Sequence, residues 1–341
     1  MSTENATCSL TKADFVSNQA VKWCPGCGDY AILTAVQNAL PRIGKNKEDI
    51  VFISGIGCSS RFPYYMSAYG FHTIHGRAAA IASGVKLANP ELSVWEITGD
   101  GDALAIGGNH LIHLLRRNID LNILLFNNKI YGLTKGQFSP TTEIGSVTKS
   151  SPHGTIEEAF LPGALALGAR ATFFARISDA NPKVMADVFV SAEMHKGTSL
   201  VEILQNCVIF NDGVHDLISS KETRDDNQLF LEHGKPMLYG KLKNKGIRLN
   251  GLKLEAVVIG ENGITEKDIL VHNAEDPDPA LHFLLVRMSL PELPVAMGVI
   301  RNVETNTYDS LMQDQLNLAK SKNKYKNLNE FFHSGDVWEI K

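Results

Sequence analysis

The sequence lacks both a long hydrophobic run and a strong excess of one charge. Its 341 residues carry 33 basic and 37 acidic side chains, which give a formal net charge of −4. No stretch reaches the roughly 18 apolar residues that a membrane-spanning helix needs. A chain this close to neutral also lacks the basic surface that binds nucleic acids or anionic membranes. We therefore expect neither a nucleic acid nor a membrane as a partner.

Cysteine is scarce, and a signal peptide is not evident. The first residues, Met1–Leu10, lack the basic-then-apolar pattern of such a peptide, so we expect a cytoplasmic protein. Thiols stay reduced in that compartment, and the five cysteines therefore indicate metal binding or catalysis rather than disulfides. An odd count fits four metal ligands and one spare, for which Cys8 in the predicted N-terminal arm is the candidate.

Internal repeats and low-complexity tracts are also missing, and the order of the elements predicts the fold. Helices alternate with strand-like runs, of which four matter most here: Ile50–Ser54, Leu92–Thr98, Leu121–Phe126 and Ser199–Leu204. Helices are predicted at Ala103–Arg117 and Thr155–Leu167. This order predicts an α/β fold with a mainly parallel, doubly wound sheet. The alternation becomes irregular after Asp212, so we predict a main domain at 1–212 and an irregular C-terminal extension at 213–341.

Each of these four runs leads into a residue that can bind a metal. The residues are Cys58, Asp100, Asn128 and Cys207. Parallel strands end at one edge of their sheet, and ligands bind beyond those carboxyl ends. Neighbouring strands are only about 5 Å apart. We therefore expect sulfur and oxygen donors to lie close together at one edge.

The oxygen donors have the spacing of a diphosphate and magnesium site. Gly99-Asp100-Gly101-Asp102 follows one strand, and Asn128 comes 28 residues after Asp100 (128 − 100), at the end of the next. Glycines let the backbone approach phosphate, and a helix N-terminus attracts it. Asp100 and Asn128 offer the oxygens that Mg²⁺ prefers. Asp-Gly and Asn-Asn also form ordinary turns, but the two together are typical of thiamine-diphosphate enzymes.

The cysteines are arranged as one pair and two singles. Cys24 and Cys27 form a C-x₂-C element, whereas Cys58 and Cys207 are distant from it in sequence. Four thiolates bind either zinc or a [4Fe–4S] cluster. A structural zinc site more usually has two compact pairs, so this arrangement beside a redox-capable cofactor favours the cluster. Zinc remains the alternative.

Together these motifs resemble the β subunit of the two-subunit 2-oxoacid:ferredoxin oxidoreductases. The resemblance covers residues 15–215 strongly and 233–251 weakly. Its matching segments are Cys24-Pro25-Gly26-Cys27-Gly28, Gly55-Ile56-Gly57-Cys58-Ser59-Ser60, His75-Gly76-Arg77, Gly99-Asp100-Gly101-Asp102, Asn127-Asn128 and Tyr131-Gly132-Leu133-Thr134-Lys135-Gly136-Gln137.

The resemblance implies a thiamine-diphosphate-binding fold and assigns roles to these residues. The [4Fe–4S] ligands would be Cys24, Cys27, Cys58 and Cys207, and the Mg²⁺ ligands would be Asp100, Asn128 and the backbone oxygen of Ile130. With the strand-end chemistry, it predicts contacts to thiamine diphosphate from Ile56, Gly57, Cys58, Ser59, His75, Gly99, Asp100, Gly101, Asp102, Asn128, Gly132, Leu133 and Thr134.

Three residues are candidates for contact with the substrate. Arg61 and Lys135 suit a substrate carboxylate, and His75 follows a short strand near the cofactor motifs. Each has a plainer interpretation: the two cations as surface charges, and the histidine as a satisfied polar group. Lys135 also suits a distal carboxylate. It therefore favours 2-oxoglutarate over pyruvate, with a broad-range enzyme as the alternative.

The implied reaction is the CoA-dependent oxidative decarboxylation of a 2-oxoacid, with ferredoxin as electron acceptor. The reverse reaction, a reductive carboxylation, is an alternative direction. From 2-oxoglutarate the decarboxylation would give succinyl-CoA and CO₂. No residue here is obviously the acid that activates the cofactor. In the family the α subunit supplies it, so we expect the chain alone to be inactive.

Two other functions are the alternatives. A non-redox thiamine-diphosphate enzyme would leave the cysteines unused, and a zinc-stabilised binding subunit would leave the diphosphate motif unexplained.

Overall fold

A computed structural model describes residues 10–340 of the chain. Strands and helices alternate through most of this range. In chain order the strands are β1 Ile50–Ser54, β2 Tyr69–His72, β3 Ser93–Gly99, β4 Asn122–Asn127, β5 Phe173–Ser178, β6 Ser199–Leu204, β7 Gln228–Leu231, β8 Leu238–Tyr239, β9 Lys245–Asn250, β10 Lys253–Val258 and β11 Val295–Asn302. The α-helices are α1 Asp29–Ile43, α2 Ala78–Ala88, α3 Asp100–Leu104, α4 Gly108–Arg117, α5 Pro162–Gly168, α6 Pro182–Met194, α7 Asp216–Ser219, α8 Arg224–Asn227, α9 Ala280–Val286, α10 Tyr308–Ser321 and α11 Leu328–Phe332.

The main sheet is eight-stranded and mostly parallel. Its strand order is β2-β1-β3-β4-β6-β5-β11-β7. All pairings among β1 to β6 are parallel, and β11 is antiparallel to β5 and parallel to β7. The predicted α/β fold with a mainly parallel, doubly wound sheet is therefore confirmed. A small antiparallel sheet of β10, β9 and β8 lies in the C-terminal part.

Helices cover both faces of the main sheet, which explains why its central strands are buried along their length. Every residue of β4 and β6 is buried, as expected for a parallel sheet with two covered faces. Alternate residues of each strand belong to two separate cores. One core contains Phe52, Trp95 and Leu124 with α1 and α6, and the other contains Ile53, Val94 and Ile123 with α2 and α4.

The C-terminal part also contributes to this sheet. Strands β7 and β11 both come after residue 212, and they form one edge of the eight-stranded sheet. The division at 212 stays a prediction about independent units. None of the helices that the structure describes has the length and apolar character needed to cross a bilayer.

Two predicted helices differ from those observed. The predicted helix Ala103–Arg117 is split into α3 and α4, because Gly107 passes close to the preceding turn: a Cβ there would lie 2.4 Å from the backbone oxygen of Asp102. The predicted helix Thr155–Leu167 begins only at Pro162. Proline has no N–H to donate, so it is favoured in the first turn of a helix.

Candidate functional site

The loops at the carboxyl ends of the parallel strands enclose one cavity. Its volume is about 480 Å³, within the range of roughly 300–1,000 Å³ that is usual for small-molecule sites. Every residue predicted to contact thiamine diphosphate lines this cavity, as does Ile130. The sequence prediction missed four further lining residues, which are Asp29, Phe126, Tyr131 and Gln137.

Asp100 is held firmly at the floor of this site. It begins α3 and is only 2% exposed. The Oγ of Ser139 and the Oγ1 of Thr141 donate to its Oδ2 at 2.5 and 2.6 Å. Burial raises the pKa of Asp100 to about 6 in spite of these two bonds. A buried carboxylate with a raised pKa gains stability from a cation, because a cation favours its charged form.

A buried chain of polar groups extends this support below the sheet edge. Thr141 Oγ1 also lies 2.9 Å from the Oδ1 of Asn127, whose Nδ2 donates to Glu202 at 2.8 Å. Glu202 in turn accepts a hydrogen bond from Nε of Arg176 at 2.8 Å. Such networks limit the movement of the groups they join. We missed Ser139 and Thr141 because nothing in a Thr-rich loop indicates which hydroxyl reaches a distant carboxylate.

Asn128 and Ile130 lie beside Asp100 in the same cavity. The Oδ1 of Asn128 accepts a hydrogen bond from the backbone N–H of Ile130 at 3.2 Å. Asn211 donates from its Nδ2 to the backbone oxygen of Asn128 at 2.9 Å. The residues of all three predicted Mg²⁺ ligands thus line one cavity, and hydrogen bonds fix the loop that carries two of them.

Asp102 connects the loops that follow three neighbouring strands. Its Oδ1 accepts from the backbone N–H groups of Ile56 and Gly76 at 3.1 and 2.8 Å and contacts Nδ1 of His75 at 2.5 Å. Its Oδ2 accepts from Thr98 Oγ1 at 2.8 Å. Four partners in the protein occupy this carboxylate, so its main structural effect is to position Ile56 and His75.

Gly101 leaves room for an aromatic wall of the cavity. A Cβ at this position would lie 2.2 Å from the ring of Tyr131. The Tyr131 hydroxyl donates to the backbone oxygen of Gly101 at 2.9 Å. Any side chain at position 101 would displace Tyr131, which explains the need for glycine here.

The four predicted cluster ligands line a second cavity of about 230 Å³. Cys24 is exposed, and Cys27, Cys58 and Cys207 are partly buried. The Sγ atoms of Cys58 and Cys207 each lie 3.6 Å from the point where a Cβ on Gly132 would be. Between residues 10 and 340, no three His, Cys, Asp or Glu side chains are placed to hold a single metal ion. Cys8 lies outside the described residues.

The thiol cavity disfavours free thiolates. Burial raises the pKa of Cys58 to about 12, with the nearby carboxylate of Asp29 as the next cause, and raises that of Cys27 further. The Nε2 of Gln205 lies 3.3 Å from the Cys27 Sγ. Thiolates are the form that binds metal. A positively charged group beside Cys27 and Cys58 would therefore favour their ionisation.

The two cavities are neighbours that share part of their lining. Asp29, Cys58, Asn128, Gly132 and Leu133 line both. Asp29 is 2% exposed, burial raises its pKa to about 7, and its Oδ2 has no hydrogen-bond partner among the described residues. Its position two residues after Cys27, at the start of α1, is the signal that sequence analysis overlooked.

The three substrate-contact candidates fall into two places. His75 lines the larger cavity, whereas Arg61 and Lys135 line the thiol cavity. Arg61 donates from Nε to the Tyr65 hydroxyl at 3.1 Å. Lys135 is exposed and has a left-handed backbone with φ of 75°. The structure therefore brings the two cations together but separates them from the histidine.

Comparisons with known proteins agree with this geometry. Residues 55–203 match the family model "Thiamine pyrophosphate enzyme, C-terminal TPP binding domain". The chain is 49% identical to the 2-oxoglutarate oxidoreductase subunit KorB of Mycobacterium tuberculosis, over 96% of this chain and 88% of that protein. It is 46% identical to the β subunit of 2-oxoacid:ferredoxin oxidoreductase 1 of Aeropyrum pernix, over 56% of this chain and 60% of that one.

A solved structure is similar over almost the whole chain. It is the 2-oxoglutarate:ferredoxin oxidoreductase of Magnetococcus marinus, with 2-oxoglutarate, coenzyme A and succinyl-CoA bound. The TM-score is 0.77 and the identity 29%, with 98% of both chains covered. The extent of these matches and the cavity that the motifs form lead to one conclusion: the chain belongs to the family of β subunits of 2-oxoacid:ferredoxin oxidoreductases.

Proposed function

We propose that the chain, with an α subunit, catalyses the CoA-dependent oxidative decarboxylation of 2-oxoglutarate and passes the electrons to ferredoxin. One observation carries this proposal: the cavity for thiamine diphosphate and the cavity lined by four thiols share Cys58, Gly132 and Leu133. Carbon chemistry in one cavity would thus occur beside an electron acceptor in the other. A decarboxylase or synthase without redox chemistry would have no use for that arrangement.

The residues of the larger cavity fit thiamine diphosphate and Mg²⁺. Asp100, Asn128 and the Ile130 carbonyl would hold the cation, and Asp100 is a buried carboxyl whose raised pKa a cation would lower. Gly99 leaves space for the diphosphate, since a Cβ there would have no atom nearer than the Ser59 Oγ at 3.6 Å. When bound, the cofactor would supply an electron sink for breaking the bond to the substrate carboxylate. Asp102 would meanwhile keep His75 and the Ile56 loop in place through its hydrogen bonds.

The thiol cavity fits an iron–sulfur cluster. Each thiolate of a four-iron cluster binds a different iron, and the four cysteines line one cavity in which such a cluster would fit. A zinc site would instead bring four donors to one ion. Binding to iron would also overcome the unfavourable ionisation of Cys58 and Cys27. Because these thiolates must stay reduced before assembly, we also propose a cytoplasmic location.

Lys135 and Arg61 are the candidates that would bind the substrate carboxylates. Both line the thiol cavity next to the shared wall. A 2-oxoacid with a second carboxylate suits two cations better than pyruvate does. The Mycobacterium tuberculosis subunit and the Magnetococcus marinus enzyme are both named for 2-oxoglutarate.

An α subunit would supply the acid that activates the cofactor. In the part of the chain that the structure describes, the carboxylates lining the larger cavity are Asp29, Asp100 and Asp102. Asp100 is assigned to the cation, Asp102 is occupied by four partners, and Asp29 faces the thiols as well. We therefore propose that this chain alone has no turnover.

Reconstitution with the α subunit tests the proposal. The β chain and an α subunit, produced separately and mixed with thiamine diphosphate, Mg²⁺ and CoA, should reduce ferredoxin only together, with 2-oxoglutarate preferred over pyruvate. The complex should be brown and should lose visible absorption on reduction. Colourless protein with stoichiometric zinc, or full turnover by the β chain alone, would reject the proposal.

A further inference from the structure

A large basic cavity lies at the opposite edge of the main sheet. Its volume is about 690 Å³, and it lies between the C-terminal ends of α4 and α5, strand β11 and the start of α10. Four arginines line it, which are Arg116, Arg117, Arg170 and Arg301. Its lining includes no Asp or Glu from the described part of the chain. All the charged side chains that line the cavity are therefore arginines.

Three of these arginines lack an ion-pair partner. Arg116, Arg117 and Arg170 are exposed, and across residues 10–340 none of them has a carboxylate oxygen within 4.0 Å. Arg301 is different, since it is 9% exposed and donates to the backbone oxygens of Ala171 and Asp276 at 3.1 and 2.9 Å. Arg301 is thus a fixed part of the wall, and the other three guanidinium groups are free to bind a ligand.

Stabilisation of the helix ends explains only part of this charge. Arg116 and Arg117 lie in the last turn of α4, and Arg170 follows α5. A helix C-terminus carries about half a negative charge, so two ends account for about one of the three exposed positive charges. Asp276 and Asp278 act on Arg301, and they do not line the cavity. About two of the exposed positive charges are therefore explained neither by a helix end nor by a carboxylate within 4.0 Å among the described residues.

The location separates this cavity from the proposed active site. Asn118 and Thr172, which also line it, precede the first residues of β4 and β5. The thiamine cavity lies beyond the last residues of the parallel strands. Strands of six residues put roughly 20 Å of buried sheet between the two edges. A ligand here would therefore not be part of the reaction at the other edge.

The wall of the cavity is not only basic. Leu167, Pro279, Tyr308 and Leu311 also line it, and the last two are 41% and 49% exposed. Arginine forks bind phosphate oxygens in pairs, with better geometry than lysine offers. Apolar and aromatic surface next to such a group accommodates a ring or a hydrocarbon part of the same ligand.

We propose that this cavity is a binding site for a phosphate ester with several negative charges, of the nucleoside diphosphate class. The arginines bind the phosphates, and the apolar wall holds the organic part. This inference does not depend on the proposed reaction. The arginines and the apolar wall could bind this ligand whether or not the other edge of the sheet holds a cluster, a cofactor or a substrate.

Calorimetric titration of the αβ complex tests this site. Inorganic pyrophosphate and ADP are the probes. The complex is first saturated with thiamine diphosphate, Mg²⁺ and CoA, so that the probes cannot bind at the sites of these three ligands. We expect saturable binding of one ADP per β chain, weaker binding of pyrophosphate, and weakening of both by added salt.

Substitutions assign the binding to the cavity. Arg170→Gln and the double variant Arg116→Gln/Arg117→Gln should each weaken ADP at least about tenfold, as loss of a charge-assisted bond does. Arg287→Gln is the matched control, since Arg287 is exposed, has no carboxylate within 4.0 Å among the described residues and lies outside this cavity. Unchanged melting temperatures show that the variants fold. No saturable binding to the wild-type complex, or equal affinity in all variants, would overturn the inference.

Discussion

The oxygen donors and the sulfur donors of this chain share one sheet edge but are supported very differently. Asp100 is 2% exposed and accepts two hydrogen bonds from hydroxyl groups on the same oxygen. Among the thiols, Cys24 is exposed, and the Sγ of Cys27 lies 3.3 Å from the Nε2 of Gln205. The oxygen site is therefore built by the protein alone. The sulfur site depends on the group that it binds.

The two sets of donors are therefore held in position by different means. Hydroxyls and amides can hold a carboxylate in place before any cation arrives. Burial raises the pKa of Cys58 and Cys27, so we propose that these thiols gain their charge when the cluster binds. Loss of an oxygen ligand should therefore weaken the binding of the cation and the cofactor. Loss of a sulfur ligand should instead prevent the cluster from binding at all.

Replacement of a cluster thiol should change the protein most. Cys207→Ser in the αβ complex should abolish the visible absorption of the cluster and lower ferredoxin reduction by more than the roughly 100-fold that changes around metal ligands cause. Cys8→Ser is the control, because the sequence leaves Cys8 outside the four-ligand set. Iron content and visible spectra provide the measurement. A Cys207→Ser protein with wild-type iron and spectrum would contradict the assignment.

Replacement of the oxygen ligand should separate the two regions. Asp100→Asn removes a charge from the cation site and should weaken thiamine diphosphate by about 100-fold at fixed Mg²⁺, judged from the strength of charged contacts. The cluster absorption should be unchanged, since Asp100 does not line the thiol cavity. Titration of the cofactor, followed by tryptophan fluorescence, measures its affinity. A visible spectrum of the same sample measures the cluster absorption. Loss of both signals would mean that the two regions form one unit.

A smaller effect tests the hydroxyl support itself. Thr141→Val keeps the shape of the side chain but removes a hydrogen bond to Asp100, and it should weaken Mg²⁺ about 10-fold. Thr155→Val is the matched control, because Thr155 is also buried and its hydroxyl donates to the Glu143 backbone instead. Isothermal titration with Mg²⁺ in the presence of thiamine diphosphate measures the change. Equal affinities in the two variants would show that Asp100 needs no such support.

A change of similar size should affect the choice of substrate. Lys135→Ala should raise the KM for 2-oxoglutarate about tenfold while that for pyruvate changes little, because only 2-oxoglutarate has a distal carboxylate to lose a charged partner. Steady-state assays of the αβ complex with both acids measure this ratio. If both KM values rise by the same factor, Lys135 does not select the substrate.

Much of the fold and of the cofactor cavity could be predicted from the sequence, because both depend on local patterns. Strand ends with Asp100 and Asn128 at one strand–helix–strand spacing must meet at one edge. The contributions of Ser139 and Thr141 could not be predicted, since they depend on how distant loops pack. The break at Gly107 was missed for the same reason: it follows from a close approach to the Asp102 backbone, which no periodicity reveals.

The most direct test of the shared edge is whether electrons from the substrate reach the thiol-bound group. The αβ complex is loaded with thiamine diphosphate and Mg²⁺, mixed with 2-oxoglutarate and CoA without ferredoxin, and followed by visible absorption and electron paramagnetic resonance. We predict that the visible absorption decreases and that a reduced-cluster signal develops within one turnover. Release of CO₂ with neither change would contradict the account.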